Sequence, residues 1–249
     1  MATITKAVNE NPRIVTLTIG DSPFSTWTPG QFVRFSLRQG EIWSSEYTFT
    51  ISSAPEEGEL RITVKAVGSF TSTLQYVAAG TEVRVRGPYG SFCKNVEQQP
   101  RLTFIAGGIG ITPFLSVLRR LVRVGSASHI VLIWANNTAD DIIHQAELRA
   151  IAEKLNLHIV HVLWKDDDAV TTCTSSRTET CRSGLLDAAT LAKYADVANA
   201  EVFLCGPPEM HNMTLDIIRS LGGNPARIHT EVMGSAPAPK APAVSPPKP

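Results

Sequence analysis

The stretch Leu102–Leu121, LTFIAGGIGITPFLSVLRRL, constrains this chain more than any other. It reads as strand, glycine turn, helix. Leu102 to Ala106 is a short, mostly apolar run, the pattern of a parallel strand buried on both faces. Gly107, Gly108 and Gly110 remove side chains from a tight turn, which lets backbone N–H groups approach a ligand closely. Thr112 occupies the N-cap position and Pro113 the first helical position. Phe114, Leu115, Leu118, Leu121 and Val122 then repeat at helical spacing and give one apolar face. A helix N-terminus behind a glycine turn attracts anions, and phosphate is the usual guest. The competing reading is a tight turn with no ligand. Strand, cap, proline and amphipathic helix in register favour a phosphate-bearing ligand.

The chain divides at about residue 97. Residues 1–97 read as antiparallel strands over Arg13–Ile19, Gln31–Leu37, Glu46–Ser53, Leu60–Val67 and Thr81–Arg86, with a short helix from Gly68 through Val77. Six or so strands of this length suit a closed six-stranded β-barrel, which leaves no exposed edge. Residues 98–234 alternate strand and helix instead. Further strands fall at Ile130–Ala135, Leu157–Leu163, Glu201–Leu204 and Arg227–Val232, and helices at Asp140–Leu155, Leu185–Tyr194 and Glu209–Leu221. This predicts an α/β doubly wound parallel sheet that binds ligand at the carboxyl ends of its strands. Asp166–Ser183 reads as a polar surface insertion, and residues 235–249 as a disordered, proline-rich tail.

Charge is balanced at 23 basic and 23 acidic residues, so no field favours nucleic acid or an acidic membrane surface. No apolar run approaches the roughly 20 residues that span a bilayer. No apolar leader opens the chain. The expectation is a cytoplasmic protein. Cys93, Cys173, Cys181 and Cys205 show no CxxC spacing, which argues against a metal cluster or structural zinc. Cys173 and Cys181 share the insertion and either pair or stay free, with free thiols the expectation for a cytosolic chain. His158 and His161, in and beside a predicted strand, read as structural.

Two glycine turns, at Gly107–Gly110 and Cys205–Gly206, follow strands and open onto one crevice. The first suits a pyrophosphate. The second, with a thiol and a proline-stiffened backbone, suits a planar ring. The fingerprint GxGxxG is absent. Gly68-Ser69-Phe70-Thr71, at a helix start in the first domain, is either a second anion site or a strand-to-helix hinge.

These motifs resemble those of the ferredoxin–NADP reductase-like flavoproteins, over nearly the whole chain to Met233. Tyr47-Thr48-Phe49-Thr50-Ile51-Ser52-Ser53-Ala54-Pro55 is similar to the family's flavin motif, Arg-x-Tyr-Ser followed by small residues and proline. Gly68 to Thr71 resembles the Gly-x-x-Ser/Thr turn whose amides hold the flavin phosphates. Gly87-Pro88-Tyr89-Gly90 resembles the GPxG that closes the barrel. Gly107-Gly108-Ile109-Gly110-Ile111-Thr112-Pro113 is similar to the nucleotide turn GGxGxTP. Cys205-Gly206-Pro207-Pro208-Glu209-Met210 is similar to CGPxxM, and Ile228-His229-Thr230-Glu231 to the final strand.

The resemblance implies FAD, and NADH or NADPH, with hydride passing from nicotinamide to flavin. Electrons then go to a separate acceptor: a protein, a quinone or a metal chelate. It implies that Phe49 stacks on the flavin, that Thr50 serves flavin N5, that Tyr47, Ile51, Val64 and Lys65 border the cofactor, and that Cys205 and Glu231 position the nicotinamide. The alternative is an electron-transfer subunit with little activity alone. Three departures bear on this. Tyr47 replaces the phosphate-binding arginine, a charge-assisted contact of about 1.5–3 kcal/mol. Asn136-Asn137 stand where NADP-preferring members carry an arginine, which favours NADH unless Arg177 or Arg182 supplies the charge. Val232-Met233 replace a flavin-shielding aromatic, so Met233 or the tail is the candidate cover.

Overall fold

Alternation of apolar and polar residues builds the first half. The computed structural model describes residues 1–165 and 176–233. Seven strands, rather than the six expected, precede the second domain: β1 (Thr3–Asn11), β2 (Ile14–Gly20), β3 (Phe32–Gln39), β4 (Ile42–Trp43), β5 (Tyr47–Thr50), β6 (Leu60–Lys65) and β7 (Val83–Tyr89). Helix α1 (Ser69–Thr73) lies between β6 and β7. The strands form antiparallel sheets in the orders β1-β2-β6 and β4-β3-β5, with β7 also on β3. Single bridges, Thr3↔Glu82 and Ile51↔Ile62, join the sheets. Ile4, Leu17, Val33, Phe35, Ile51 and Ile62 fill the interior, all fully buried. The sequence reading lacks β1 because most of its central side chains are exposed, so it shows no in-out alternation.

In the second half, β8 (Arg101–Gly107), α2 (Thr112–Arg123), β9 (His129–Asn136), α3 (Gln145–Ala152), β10 (Asn156–Leu163), β11 (Glu179–Ser183), α4 (Ala188–Tyr194), β12 (Glu201–Gly206), α5 (Pro208–Ser220) and β13 (Ile228–Val232) follow in order. The six strands are parallel, in the order β11-β10-β9-β8-β12-β13. One face packs Leu102, Phe104, Leu132 and Trp134 under α2 and α3. The other packs Ile105, Ile133, Val202 and Leu204 under Leu191 of α4 and Ile218 of α5. The central strands β8, β9, β10 and β12 therefore carry apolar side chains on both faces, which is why these runs stand out in the sequence. β8 and β12 are neighbours in space but distant in sequence, and the crevice opens at their carboxyl ends.

Several local expectations are corrected. Asp166–Ser183 is not wholly an insertion, because its last five residues are β11. Its inward Glu179 is polar, so the strand shows no apolar run. Ala139–Asp141 form only a single 3-10 turn, and α3 begins after His144 rather than at Asp140. Thr112 lies inside α2, because the 3-10 turn Gly108–Ile111 runs directly into the helix; its hydroxyl donates to the Ile109 carbonyl at 3.1 Å. Cys181 is disulfide-bonded rather than free. Cys173, residues 166–175 and the tail lie outside the described residues. His158 and His161 are structural as expected, bonded to Thr180 and Glu179. Among the described residues no helix is long and apolar enough to cross a membrane, and no metal-binding cluster occurs.

Candidate functional site

A cleft of about 940 Å³ separates the two halves. Polar contacts fix its walls. Asp141, 3% exposed, accepts from Arg13 at 3.0 Å and pairs with Lys65 at 3.6 Å through the same oxygen. On the far side of the interface, Ser116 of α2 donates to the Ser53 carbonyl at 2.6 Å. Arg119 of α2 donates to the Ser52 carbonyl and grips Glu147 of α3 through two bonds of 2.7 Å. Removing Arg119 from water is tolerable because its donors are met by a carboxylate and a carbonyl. None of these contacts forms a local sequence motif.

The barrel wall is Tyr47, Phe49 and Thr50 from β5, Val64 and Lys65 from β6, and Thr71 from α1. The opposite wall is Gly107, Gly108, Ile109 and Thr112 from the first glycine turn, Asn136 and Asn137 from the end of β9, Pro207 and Met210 from the second turn, and Glu231 from β13. These residues, far apart in the chain, share one space. The other residues singled out in the sequence stand back from it. Ile51 and Ile111 are fully buried, and Gly110, Pro113 and Gly206 lie behind the wall. Gly68, Ser69 and Phe70 form the turn leading into Thr71. Cys205 is corrected in position: its side chain is fully buried in the core rather than facing the cleft, and burial pushes its thiol pKa well up. The sequence reading missed Phe32, Thr63, Trp164 and Met213, which line the cleft without belonging to any motif. Met233 lines it too.

The glycines have a second reason to exist. A Cβ on Gly107 would lie 2.4 Å from the Met210 sulfur, and one on Gly110 would lie 2.2 Å from the Cys205 carbonyl oxygen. The two turns pack directly on each other. Gly108 lines the cleft beside Gly107; its φ of +51° favours glycine, and the Trp134 indole donates to its carbonyl at 2.9 Å.

Two cleft side chains hold buried polar atoms without protein partners: both amide atoms of Asn136, and Oε2 of Glu231. Such atoms are costly unless a ligand meets them. Burial raises the Glu231 pKa from the ordinary 4.5 to about 7. Lys65 is the sole cation lining the cleft among the described residues. At the α1 turn, the Thr71 hydroxyl accepts from the Val67 and Gly68 amides at 3.0 Å, so it holds the turn's shape. Tyr47 stacks flat on Phe70, with centroids 3.8 Å apart and planes within 2°. The cleft therefore combines an apolar floor, a few convergent polar groups and two glycine turns, which suits flat, phosphate-linked aromatic ligands.

The family model of an oxidoreductase FAD-binding domain matches residues 3–93, and that of an oxidoreductase NAD-binding domain matches residues 104–216. With both domains in this order, the chain belongs to the ferredoxin–NADP reductase-like flavoproteins. Among its relatives is the sulfhydrogenase 2 subunit gamma of Pyrococcus furiosus, 26% identical over 208 residues that cover 82% of this chain and 71% of the relative. Another is NADH-cytochrome b5 reductase 1 of Pyricularia oryzae, 31% identical over 71% of this chain and 57% of the relative. The chain spans little more than half the length of that protein and of several others. Its fold matches a ferredoxin NADP+ reductase from Neisseria gonorrhoeae with bound FAD and NADP, at a TM-score of 0.71 and 19% identity, covering 93% of this chain and 97% of that one.

Proposed function

We propose that this chain is a reduced-nicotinamide-dependent FAD oxidoreductase that delivers electrons to a separate acceptor. The observation that carries this is the single cleft whose walls come from β5 and β6 on one side and both glycine turns on the other. The buried, unpartnered atoms of Asn136 and Glu231 fit a polar ligand there. When bound, FAD supplies acceptance of a hydride and release of electrons one or two at a time.

The chain's own residues bind and orient. Val64, Phe49 and Thr50 form the flavin wall, with the Ser69, Phe70 and Thr71 amides and Lys65 available to phosphate oxygens. The Tyr47–Phe70 stack stands where the family pattern has an arginine, so it braces β5 against α1 without supplying charge. Gly108, Thr112, Asn136 and Asn137 receive the nicotinamide dinucleotide, while Met210 and Pro207 cover the apolar side. Glu231, protonated below about pH 7, holds a proton on an otherwise unpartnered oxygen and donates it to a ligand acceptor. Its neighbour across the β12–β13 pairing, Cys205, shapes the wall from behind. The domain division at residues 97 and 98 belongs to this reading, as does a cytoplasmic location, where reduced nicotinamide dinucleotides are available.

Anaerobic mixing of the flavin-loaded protein with NADH or NADPH tests the proposal. Bleaching of the flavin absorbance is expected; absorbance that persists with both dinucleotides refutes it. Comparing the two titrations also reads the cofactor preference, which Asn136-Asn137 tilt towards NADH.

A further inference from the structure

Trp134 of β9, 1% exposed, is the largest fully buried side chain among the described residues. Its layer of the core is otherwise aliphatic, phenylalanine or thiol, with Phe104, Phe114, Leu115 and Leu132 among its members. A phenylalanine would fill such a layer without bringing in a polar atom. An indole brings an N–H that must find a partner once it leaves water. Here the partner is the carbonyl of Gly108, at 2.9 Å. The strand register makes this reach possible. Trp134 lies opposite Ala106 of β8, whose methyl leaves room for the ring, and Gly108 lies two residues further along. On its other side Trp134 is flanked by His161 of β10, with the rings 5.8 Å apart.

The bond falls on the most adaptable point of the first glycine turn. Gly108 has a φ of +51°, and a glycine there can reverse its backbone at little steric cost. Gly108 to Ile111 form a single 3-10 turn, and the first amides of such a turn have no partner within it. In a planar trans peptide the C=O and N–H point in opposite directions. Holding the Gly108 carbonyl towards the buried indole therefore turns the Ile109 N–H the other way, to the side on which Gly108 and Ile109 line the cleft. The nearest group on that side is a cation: a Cβ on Gly108 would lie 3.8 Å from Lys65 Nζ. We propose that Trp134 is a positioning residue for the nicotinamide dinucleotide, its indole N–H fixing the Gly108–Ile109 peptide with the amide ready for a pyrophosphate oxygen. The proposal rests on the reductase function above. Trp134 itself touches no ligand; it acts through the turn. Without its bond the peptide samples both orientations, and the apparent affinity for the dinucleotide falls with the fraction of molecules still competent to bind.

The test uses the full chain loaded with flavin. Trp134→Phe removes the donor, and Trp134→β-(3-benzothienyl)alanine removes it while keeping the bicyclic shape. Leu132→Val is a control in the same core layer that leaves the donor in place. ADP-ribose, which carries the pyrophosphate without nicotinamide, is titrated by calorimetry, and NADH oxidation is followed with ferricyanide. Both Trp134 variants should raise the Kd for ADP-ribose and the KM for NADH by about threefold to tenfold, the worth of one neutral hydrogen bond. Both kcat at saturating NADH and FAD retention should stay within about twofold of wild type. Leu132→Val should lower the thermal midpoint without moving either constant. Unchanged ADP-ribose affinity in the benzothienyl variant overturns the proposal, whatever Trp134→Phe does to folding. So does a loss of kcat or of FAD retention as large as the rise in KM, or a Leu132→Val variant whose KM rises equally. Wild-type flavin that neither NADH nor NADPH bleaches overturns the reductase reading instead.

Discussion

Glu179 and Glu231 occupy opposite edge strands of the same parallel sheet, yet their environments push them in opposite directions. The Glu179 side chain is 1% exposed and accepts from His161 at 3.0 Å and Arg149 at 2.6 Å. Those cationic and hydrogen-bonding partners overcome desolvation and hold its pKa at about 2. Glu231 is desolvated with nothing to offset it, and its pKa rises to about 7. A partnered buried carboxylate is a structural tie. An unpartnered one facing a cleft is a candidate for chemistry.

The largest expected effect tests the tie. His161→Ala leaves buried Glu179 with only Arg149 and Gln145 as partners and opens a gap beneath Trp134, whose ring lies 5.8 Å from the imidazole. A loss of about 3–5 kcal/mol in urea denaturation is expected. Arg149→Met should cost less, about 1–3 kcal/mol, because Arg149 is 44% exposed and water can partly replace it. A cost below 0.5 kcal/mol for both variants would break the contrast.

The pH dependence of stability sharpens it. Glu179 ionises more readily folded than unfolded, so its contribution is present above about pH 4.5 and is lost as pH falls towards 2. Glu231 behaves oppositely. The unfolded chain ionises it near 4.5 while the folded chain keeps the proton to about 7, so stability declines as pH rises through that window. Denaturant titrations at several pH values should show the second slope in wild type and its absence in Glu231→Gln.

The smallest effect is kinetic. Glu231→Gln keeps a donor but cannot ionise. Wild-type kcat/KM for NADH should fall as pH rises through about 7, while the variant stays flat, with values at pH 6 within about threefold of each other. A wild-type profile flat across that range would remove the role given to Glu231.

The same contrast explains what the sequence reveals. β8 and its glycine turn are legible because a strand buried on both faces must be apolar and because Gly107 and Gly110 tolerate no Cβ. β11 is hidden because it buries a glutamate that His161, Arg149 and Gln145 make tolerable. In the cleft, motif residues such as Thr50, Gly108, Asn136 and Met210 were readable; Phe32, Trp164 and Met213 were not, since nothing local marks a side chain that distant packing delivers. Cys205 shows the reverse error: a motif residue that is fully buried in the core behind the cleft wall.

The sequence by itself determined two domains, the alternation that builds each, and the turns that must be glycine, since periodicity and backbone sterics act over a few residues. The tertiary structure alone decided which polar groups find partners. Asp141 with Lys65 and Arg13, Arg119 with Glu147, and the solitary Glu231 are set by contacts between residues distant in the chain. Desolvation and its compensation depend on those contacts, so the chemistry of the cleft becomes readable only once the chain has closed around it.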